Sequence, residues 1–168
     1  MVIINDTNIW IDLKFINLLD KVFLLPYDIA VPDILYNEEL KDMDGAILES
    51  NGIKILEMTQ DEILETAMRS QQTNRVSFND LTTLVVAKKR GYILVTGDGN
   101  LRKIAQKEKL ILKGTIWIID EMVSNAVISH KEAAYACQKL IEIQRRLPQD
   151  ELLKRIEKWI AIDEVAID

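Results

Sequence analysis

Two residue types that bind metals or form cross-links are almost missing from this chain. It has one cysteine, Cys137, and one histidine, His130. A single cysteine forms no disulfide within the chain, and a single histidine excludes a histidine-rich metal cage. Any catalytic metal ion must therefore be held by carboxylates.

The chain also lacks long apolar runs and a surplus of positive charge. No apolar run approaches the roughly 18 residues of a membrane span, and the N-terminus carries no signal-peptide pattern, so we expect a cytoplasmic protein. The 21 lysines and arginines stand against 27 aspartates and glutamates, which gives a formal net charge of −6. This charge argues against broad electrostatic capture of nucleic acid, although local basic patches remain open.

The composition that is present is typical of one globular domain. Apolar residues make up 48% and charged residues 29% of the 168 positions, enough to bury a full core. The sequence contains neither a Gly/Ser linker nor an internal repeat. We therefore predict a single domain over 1–168, with a core at about 1–125 and a C-terminal helical hairpin at about 129–162.

Short apolar runs alternate with helical patterns along the chain. The runs lie at 2–4, 29–31, 53–56, 92–95 and 115–119. Strands that alternate with helices form a parallel sheet covered on both faces. The sequence therefore predicts an α/β fold, a three-layer α/β/α sandwich around a mostly parallel five-stranded sheet, followed by the helical hairpin.

Helix boundaries are marked by capping residues. Gly91 follows a run of three cations, as expected just past a helix end. Two C-terminal helices, at about 131–146 and 149–161, are predicted on either side of Pro148, and the Arg145-Arg146 and Lys154-Arg155 pairs are interpreted as solvated helix faces. Three helix starts have the spacing of a capping box: Thr59 with Glu62, Ser77 with Asp80, and Ser129 with Glu132.

Acidic residues follow two of the predicted strands directly. Asp6 comes after the first strand and Asp98 after the fourth. In parallel sheets, ligands and catalytic groups gather beyond the carboxyl ends of the strands. An N-cap for the next helix is the alternative at Asp6, and position alone does not separate the two. A nucleotide-binding GxGxxG pattern around Gly97 and Gly99 is disfavoured because Arg102 occupies its third glycine position.

Two further acids lie near predicted helix starts. Glu38 lies four residues after Ile34 and three after Leu35, which places it on the apolar face of its helix. Glu39 lies at the edge of that face and reaches water. An acid on the core side is costly unless it is paired or bound to a metal, which singles out Glu38. Asp80 lies in the first turn of its helix, where a carboxylate is also stabilising in its own right.

These four carboxylates are predicted to converge at one edge of the sheet. Four like charges at one place need a hard divalent cation, and oxygen ligands favour Mg²⁺ or Mn²⁺. Such a site activates water and neutralises a phosphodiester during in-line displacement, as in nucleases. The predicted catalytic and metal-binding residues are Asp6, Glu38, Asp80 and Asp98.

The segments that carry these acids resemble the motifs of PIN-domain ribonucleases, particularly the VapC-like toxin branch. INDTNIWIDL resembles the first motif and VPDILYNEEL the second, while FNDLTTLVVAKKRGYILVTGD joins the third and fourth acids. The likeness covers about residues 1–125. By motif position it places the family's acids at the same four residues, and it implies supporting roles for Thr7, Asn8 and Thr96, which orient the carboxylates, for Asn100, and for Arg102 near the phosphate path.

The resemblance implies an Mg²⁺- or Mn²⁺-dependent endoribonuclease, the toxin of a toxin–antitoxin pair. It implies a small antitoxin that inserts a cation among the acids, and the apolar stripe from Leu140 to Ile160 suggests a homodimer, with core packing as the alternative. An inert PIN-like scaffold that binds RNA or a protein stays open. A haloacid-dehalogenase-type phosphatase would need an acid where Asn8 stands. A receiver domain would need a lysine where Asp120 and Glu121 follow the fifth predicted strand.

Overall fold

Five parallel strands form the centre of the fold in the computed structural model, which describes residues 1–166. Their order in the sheet is β3-β2-β1-β4-β5, and every neighbouring pair runs parallel. The predicted α/β/α fold class is confirmed. The strands are β1 (Val2–Asn5), β2 (Asp28–Pro32), β3 (Lys54–Leu56), β4 (Ile93–Val95) and β5 (Leu112–Lys113).

Helices fill the connections between the strands and form the C-terminal part of the fold. A 3-10 turn (Lys21–Leu24) precedes β2, and a π-helical turn (Tyr36–Leu40) lies between α2 and α3. Within residues 1–166, no helix is long and apolar enough to cross a membrane. The helices are α1 (Thr7–Phe15), α2 (Asp33–Leu35), α3 (Lys41–Ser50), α4 (Gln60–Gln72), α5 (Phe78–Arg90), α6 (Gly99–Lys107), α7 (Thr115–Ser124), α8 (His130–Glu142) and α9 (Gln149–Val165).

The sheet is apolar on both faces, which explains the unbroken apolar runs in its strands. Ile3 pairs in register with Ile29 and Ile93, and all three enter one buried cluster with α1, α7, α8 and α9. The next residue, Ile4, joins a second cluster with α5 and α6. Successive side chains of a strand point to opposite faces, so these two clusters form the two cores of a three-layer sandwich.

The three predicted helix starts are confirmed, and two of them have a complete capping box. Thr59 and Ser129 each begin a helix with such a box. Ser77 accepts a hydrogen bond from the backbone N–H of Asp80, but the Asp80 carboxylate does not accept one from the backbone N–H of Ser77. Gly91 ends α5 in the left-handed conformation at φ 68°. Because its carboxylate is not used in a capping box, Asp80 can face the edge of the sheet.

The prediction of a fifth strand at 115–119 is wrong. This apolar run forms the first half of α7, and β5 lies just before it at Leu112–Lys113. Ile118 and Ile119 are fully buried, and Thr115 is buried as well. A short apolar run in a buried helix has no periodicity that separates it from a buried strand, which is why the pattern misled.

The first C-terminal helix ends four residues earlier than predicted. Helix α8 stops at Glu142, so Arg145 and Arg146 lie in the connection to α9 and not on a helix face. Arg145 donates from Nε to Oδ1 of Asp12, whose Oδ2 accepts a 2.6 Å hydrogen bond from the hydroxyl of Thr115. Asp12 is only 3% exposed. This buried network attaches the α8–α9 connection to α1 and α7.

Arg145→Met should destabilise the protein because it leaves the Asp12 carboxylate buried without its cation. Removal of one partner of a buried ion pair costs about 3–5 kcal/mol, and the partial exposure of Arg145 places the expected loss near 3 kcal/mol. Chemical denaturation measures it. Arg146→Met, at the exposed neighbouring arginine, is the matched control and should stay within about 0.5 kcal/mol of the wild type. Equal stabilities for both variants would show that the network carries no stability.

Candidate metal-dependent active site

The carboxyl ends of β1 and β4 define the position of the site. These two strands are neighbours at the centre of the sheet, with Asn5 and Val95 in register. The backbone N–H of Asp6 donates to the carbonyl of Val95 at 3.3 Å. The strand order reverses between β1 and β4, and such a switch point opens the crevice where parallel α/β sheets bind their ligands.

Asp6 is fully buried and is held on both carboxylate oxygens. Oδ1 accepts a 3.1 Å hydrogen bond from the backbone N–H of Ile9, which caps α1, and Oδ2 accepts from the hydroxyl of Thr96. Asp6 therefore caps α1 and also lies at the end of β1, so the two interpretations are compatible. Burial raises the pKa of Asp6 to about 7; its two hydrogen bonds lower it, and the nearby charges of Asp80 and Asp98 raise it.

Asp98 and Asp80 lie beside Asp6 on two different helices. Asp98 caps α6 by accepting from the backbone N–H of Leu101 at 2.7 Å, and its own N–H donates to Oγ1 of Thr96 at 3.0 Å. One threonine thus contacts both strand-end acids. Burial raises the pKa of Asp80, and the charges of Glu39 and Asp98 raise it further, against a hydrogen bond from Ser77 that lowers it.

The helix-face prediction for the second motif is wrong, because Glu39 and not Glu38 points toward the other acids. Glu38 is exposed, whereas Glu39 is half-buried and acts electrostatically on Asp80. Oε2 of Glu39 is buried and has no hydrogen-bond partner among residues 1–166. Such an oxygen is costly to bury unless something binds it.

The π-helical turn Tyr36–Leu40 explains why the helix register misled. A π turn closes with i→i+5 hydrogen bonds, so each turn takes one residue more than the α-helical spacing assumes. The residue that lies one such turn after Ile34 is Glu39, five positions on. Ile34 and Leu35 also face different core clusters. The apolar residues Tyr36 and Leu40, both buried in the structure, lie three positions before and one position after Glu39. Their spacing was the sequence signal that favoured Glu39 over Glu38.

The supporting residues have unequal roles. Thr96 contacts Asp6 and Asp98, as the resemblance implied. Oγ1 of Thr7 is buried without a partner in the described part of the chain, and Asn8 lines a cavity beside Asp98. Asn100 donates to the carbonyl of Arg75 at 3.4 Å, and within residues 1–166 its side chain forms no hydrogen bond with the four acids.

Arg102 and Asn5 add two features that the motif pattern did not specify. Nη1 of Arg102 donates to the carbonyls of Thr96 and Lys113 at 2.9 and 3.1 Å, so this arginine fastens the ends of β4 and β5. The side chain of Asn5 is fully buried, and within residues 1–166 neither of its polar atoms has a partner. Asn5 directly precedes Asp6, and no role was predicted for it.

The donors at this edge fit a hard divalent cation. Asp6, Glu39, Asp80 and Asp98 offer only carboxylate oxygens, which Mg²⁺ and Mn²⁺ prefer, and none of them forms an ion pair within residues 1–166. In the same part of the chain, no three acidic, histidine or cysteine side chains stand close enough to form a finished ligand cluster. Binding of a cation therefore requires side-chain rotation at the edge.

Comparison with known proteins agrees with this fold. The PIN-domain family DUF3368 matches residues 2–161, nearly the whole chain. No curated protein matches the chain significantly. The chain therefore belongs to the PIN-domain family, whose members are generally nucleases and typically use divalent metal ions.

Metal-free Asp98→Asn protein should be no less stable than the wild type at pH 8, because asparagine keeps the cap of α6 and removes one of the repelling charges. When folding raises the pKa of a carboxyl group, the free energy of unfolding of the protein falls as the pH rises from the unfolded pKa of that group, about 4, to its folded pKa. For Asp6 that window extends to about 7. Denaturation in EDTA between pH 4 and 8 should show a smaller loss for the variant.

Asp150→Asn is the matched control for this experiment. Asp150 is exposed in the first turn of α9, so the same substitution at another helix start removes a unit charge outside the acid cluster. Its stability profile should parallel that of the wild type. A steeper loss in Asp98→Asn than in either protein would contradict the assigned repulsion.

Proposed function

We propose that the protein is a metal-dependent endoribonuclease that hydrolyses RNA phosphodiester bonds. The observation that carries the proposal is a group of four carboxylates at the switch point of the sheet, whose charges act on one another without a cation from residues 1–166 to neutralise them. Uncompensated acids of this kind are kept where a charged ligand completes the site. Membership of the PIN-domain family supports a nuclease, and the likeness of the motifs to PIN-domain ribonucleases supports RNA as the substrate.

The four acids have different tasks in this proposal. Asp80, Asp98 and Glu39, whose side chains are partly exposed, would hold the cation together with Asp6. A bound Mg²⁺ or Mn²⁺ supplies an activated nucleophile from water and neutralises charge on the scissile phosphate. Thr96 keeps Asp6 in place through its hydroxyl and positions Asp98 through the backbone N–H that it accepts.

The runner-up is an inert PIN scaffold that binds RNA or a protein partner without cleavage. It gives no reason for the buried, unpartnered Oε2 of Glu39, which a scaffold would be expected to replace with an apolar group. A phosphatase of the haloacid-dehalogenase type is less well supported, because Asn8 stands where that chemistry needs a second acid.

Cleavage of a defined single-stranded RNA separates the nuclease from the scaffold. We expect internal cleavage with Mn²⁺ or Mg²⁺ and none in EDTA. Isothermal titration of the metal-free protein with Mn²⁺ gives a second readout that does not depend on the choice of RNA. A protein that binds Mn²⁺ but cleaves neither RNA nor DNA would leave the scaffold as the better interpretation.

Glu39→Gln should lower RNA cleavage by about 100-fold or more, because a lost metal ligand removes several kcal/mol of transition-state stabilisation. It should also weaken Mn²⁺ binding in titration calorimetry. Glu38→Gln is the matched control on the same turn, and its activity should stay within a few fold of the wild type. The opposite ranking would show that the π-helical turn orients these side chains differently in solution.

The partner proposals follow from the charge of the site and from the C-terminal hairpin. A free ribonuclease would damage its own cell, and an acid cluster without a protein cation is well suited to an inserted arginine or lysine from a small antitoxin. On the hairpin, Tyr135 is 65% and Ile160 47% exposed beside one cavity, whereas Leu140, Leu152 and Trp159 pack in the core. The exposed part of the apolar stripe supports a homodimer.

The chain should therefore be toxic on expression, co-purify with the product of a neighbouring gene, and form a dimer of its 19.3 kDa chain in light scattering. Ile160→Lys should shift the dimer to monomer, while Leu64→Lys, at an exposed leucine of α4, should not. A monomer that is harmless on expression and has no co-purifying partner would leave a PIN nuclease outside a toxin–antitoxin pair.

A further inference from the structure

The connection between α8 and α9 lies directly beside the acid cluster. Residues 143–147 line a cavity of about 330 Å³ whose other wall includes Asn8, Gly97 and Asp98. A second cavity of about 480 Å³ adjoins it on the far side of Gly97. Both cavities are lined by Arg146 and Leu147, so together they form one continuous surface, here called the Arg146 groove, defined by Asn8, Asp98, Gly97, Arg146, Leu147 and Trp117.

The two arginines of the connection have opposite environments. The side chain of Arg145 is bound to the buried carboxylate of Asp12. Arg146 is exposed, and residues 1–166 give it neither an ion pair nor a hydrogen bond through its guanidinium group. The attachment of Arg145 thus fixes the backbone that presents Arg146 to the groove. A guanidinium group held next to a phosphodiester-cleaving site is suited to bind a phosphate with two parallel hydrogen bonds.

Two more cations contribute to the potential of the second cavity. Arg102 lines it, and its Nη1 is fixed by two backbone carbonyls. Nζ of Lys113 lies 5.7 Å from the centre of the Trp117 ring. The groove therefore changes from acidic at Asp98 to basic within a short distance. Such a gradient matches a nucleic-acid strand whose scissile phosphate meets the acids, with the metal, while the next phosphates meet the cations.

The second cavity also has an apolar wall. Trp117, Leu147 and Pro148 line it. Trp117 is half-buried, whereas Trp10 and Trp159 are 1% and 4% exposed. Single-stranded RNA is recognised by aromatic and apolar contacts to unpaired bases combined with phosphate contacts. The cavity offers both kinds of contact side by side.

We propose that the Arg146 groove is the binding path for single-stranded RNA, with Arg146 on a backbone phosphate and one unpaired base against Trp117, Leu147 and Pro148. This inference rests on the proposed nuclease function and assigns the substrate class and the contacts of that same site. It makes the C-terminal hairpin a part of the substrate-binding surface. A base-paired strand cannot place a base in the cavity, so duplex RNA is a poor occupant.

The test uses the full-length protein and a fluorescently labelled, 2′-O-methylated oligouridylate that resists cleavage. Anisotropy titrations with Mg²⁺ should show about tenfold weaker binding for Arg146→Ala, the effect of one lost charge-assisted contact. The dependence of log K on log salt should also fall by about 0.7, the value for one phosphate contact on a single strand. Lys107→Ala is the matched control, because this exposed lysine lies at the C-terminal end of α6, about 14 Å along the helix from Asp98 at its start.

Tryptophan fluorescence gives an independent readout, since Trp117 is the one tryptophan of the chain that is not buried. The oligonucleotide should quench the emission of the wild type, and Trp117→Phe should lose this response, while a duplex of the same length should quench neither protein. Unchanged thermal unfolding of Arg146→Ala confirms that the variant is folded. Wild-type affinity in Arg146→Ala, no binding by the wild type, or binding without quenching would overturn the proposal.

Failure of the groove and failure of the proposed function give different results. If Arg146→Ala cleaves RNA with the KM and kcat of the wild type, the groove is wrong and the nuclease stands. If the wild type binds and quenches as expected, and Arg146→Ala does not, the groove stands even when no metal supports cleavage. In that case the chain is an RNA-binding scaffold.

Discussion

The buried carboxylate of Asp6 is the interaction on which the site depends. It joins three elements, since it follows β1, caps α1 through the N–H of Ile9 and accepts the hydroxyl of Thr96 after β4. Burial and the neighbouring acids oppose its ionisation. The ionised carboxylate of Asp6 therefore destabilises the folded protein, and a cation bound beside it would remove this cost. A ligand that binds only the folded state stabilises it, and the gain rises with the logarithm of the ligand concentration relative to its Kd.

A second buried aspartate on the same helix shows what a structural acid looks like in this protein. Asp12 lies six residues after Asp6, and its carboxylate is satisfied by Arg145 and Thr115. Asp6 has hydrogen bonds but no cation within residues 1–166. The two aspartates are equally buried, but within residues 1–166 only Asp12 is neutralised by a cation of the protein. This difference distinguishes a structural acid from the proposed metal ligand Asp6 without reference to any motif. A similar contrast in compensation separates Glu62, which is buried and paired with Arg90, from Glu39, which is half-buried and whose Oε2 has no partner within residues 1–166.

The features that were predicted correctly from the sequence are those set by interactions between residues close together in the chain. The parallel sheet followed from runs such as Val2-Ile3-Ile4, and the helix starts followed from Thr59, Ser77 and Ser129, whose side chains act within three residues. The local errors arose where one extra residue in a helical turn changed the direction of a side chain, or where an apolar run formed a helix and not a strand. The π-helical turn moved the inward position from Glu38 to Glu39, and Gly114 began a helix where an apolar run favoured a strand.

The long-range errors have a different cause. Helix α8 ends at Glu142, and Gln144 then adopts the left-handed conformation at φ 56°. This turn brings Arg145 to Asp12, more than 130 positions earlier in the chain. No local pattern encodes such a contact. Caps and strand runs were therefore predictable, whereas the position of the hairpin beside Asp98 was visible only once the tertiary contacts were known.

The separation of charge along this edge reconciles the acidic composition with the polyanionic substrate that we propose. Charges are screened over about 8 Å at physiological ionic strength, so a strand in the Arg146 groove responds mainly to its immediate neighbours and only weakly to the net charge of −6. Its neighbours there are the acids, which a divalent cation would neutralise, and the cations Arg146, Arg102 and Lys113. Distant surface acids then oppose non-specific capture of nucleic acid while leaving the local contacts intact. An overall negative charge therefore favours a strand that enters the groove over one that merely touches the surface.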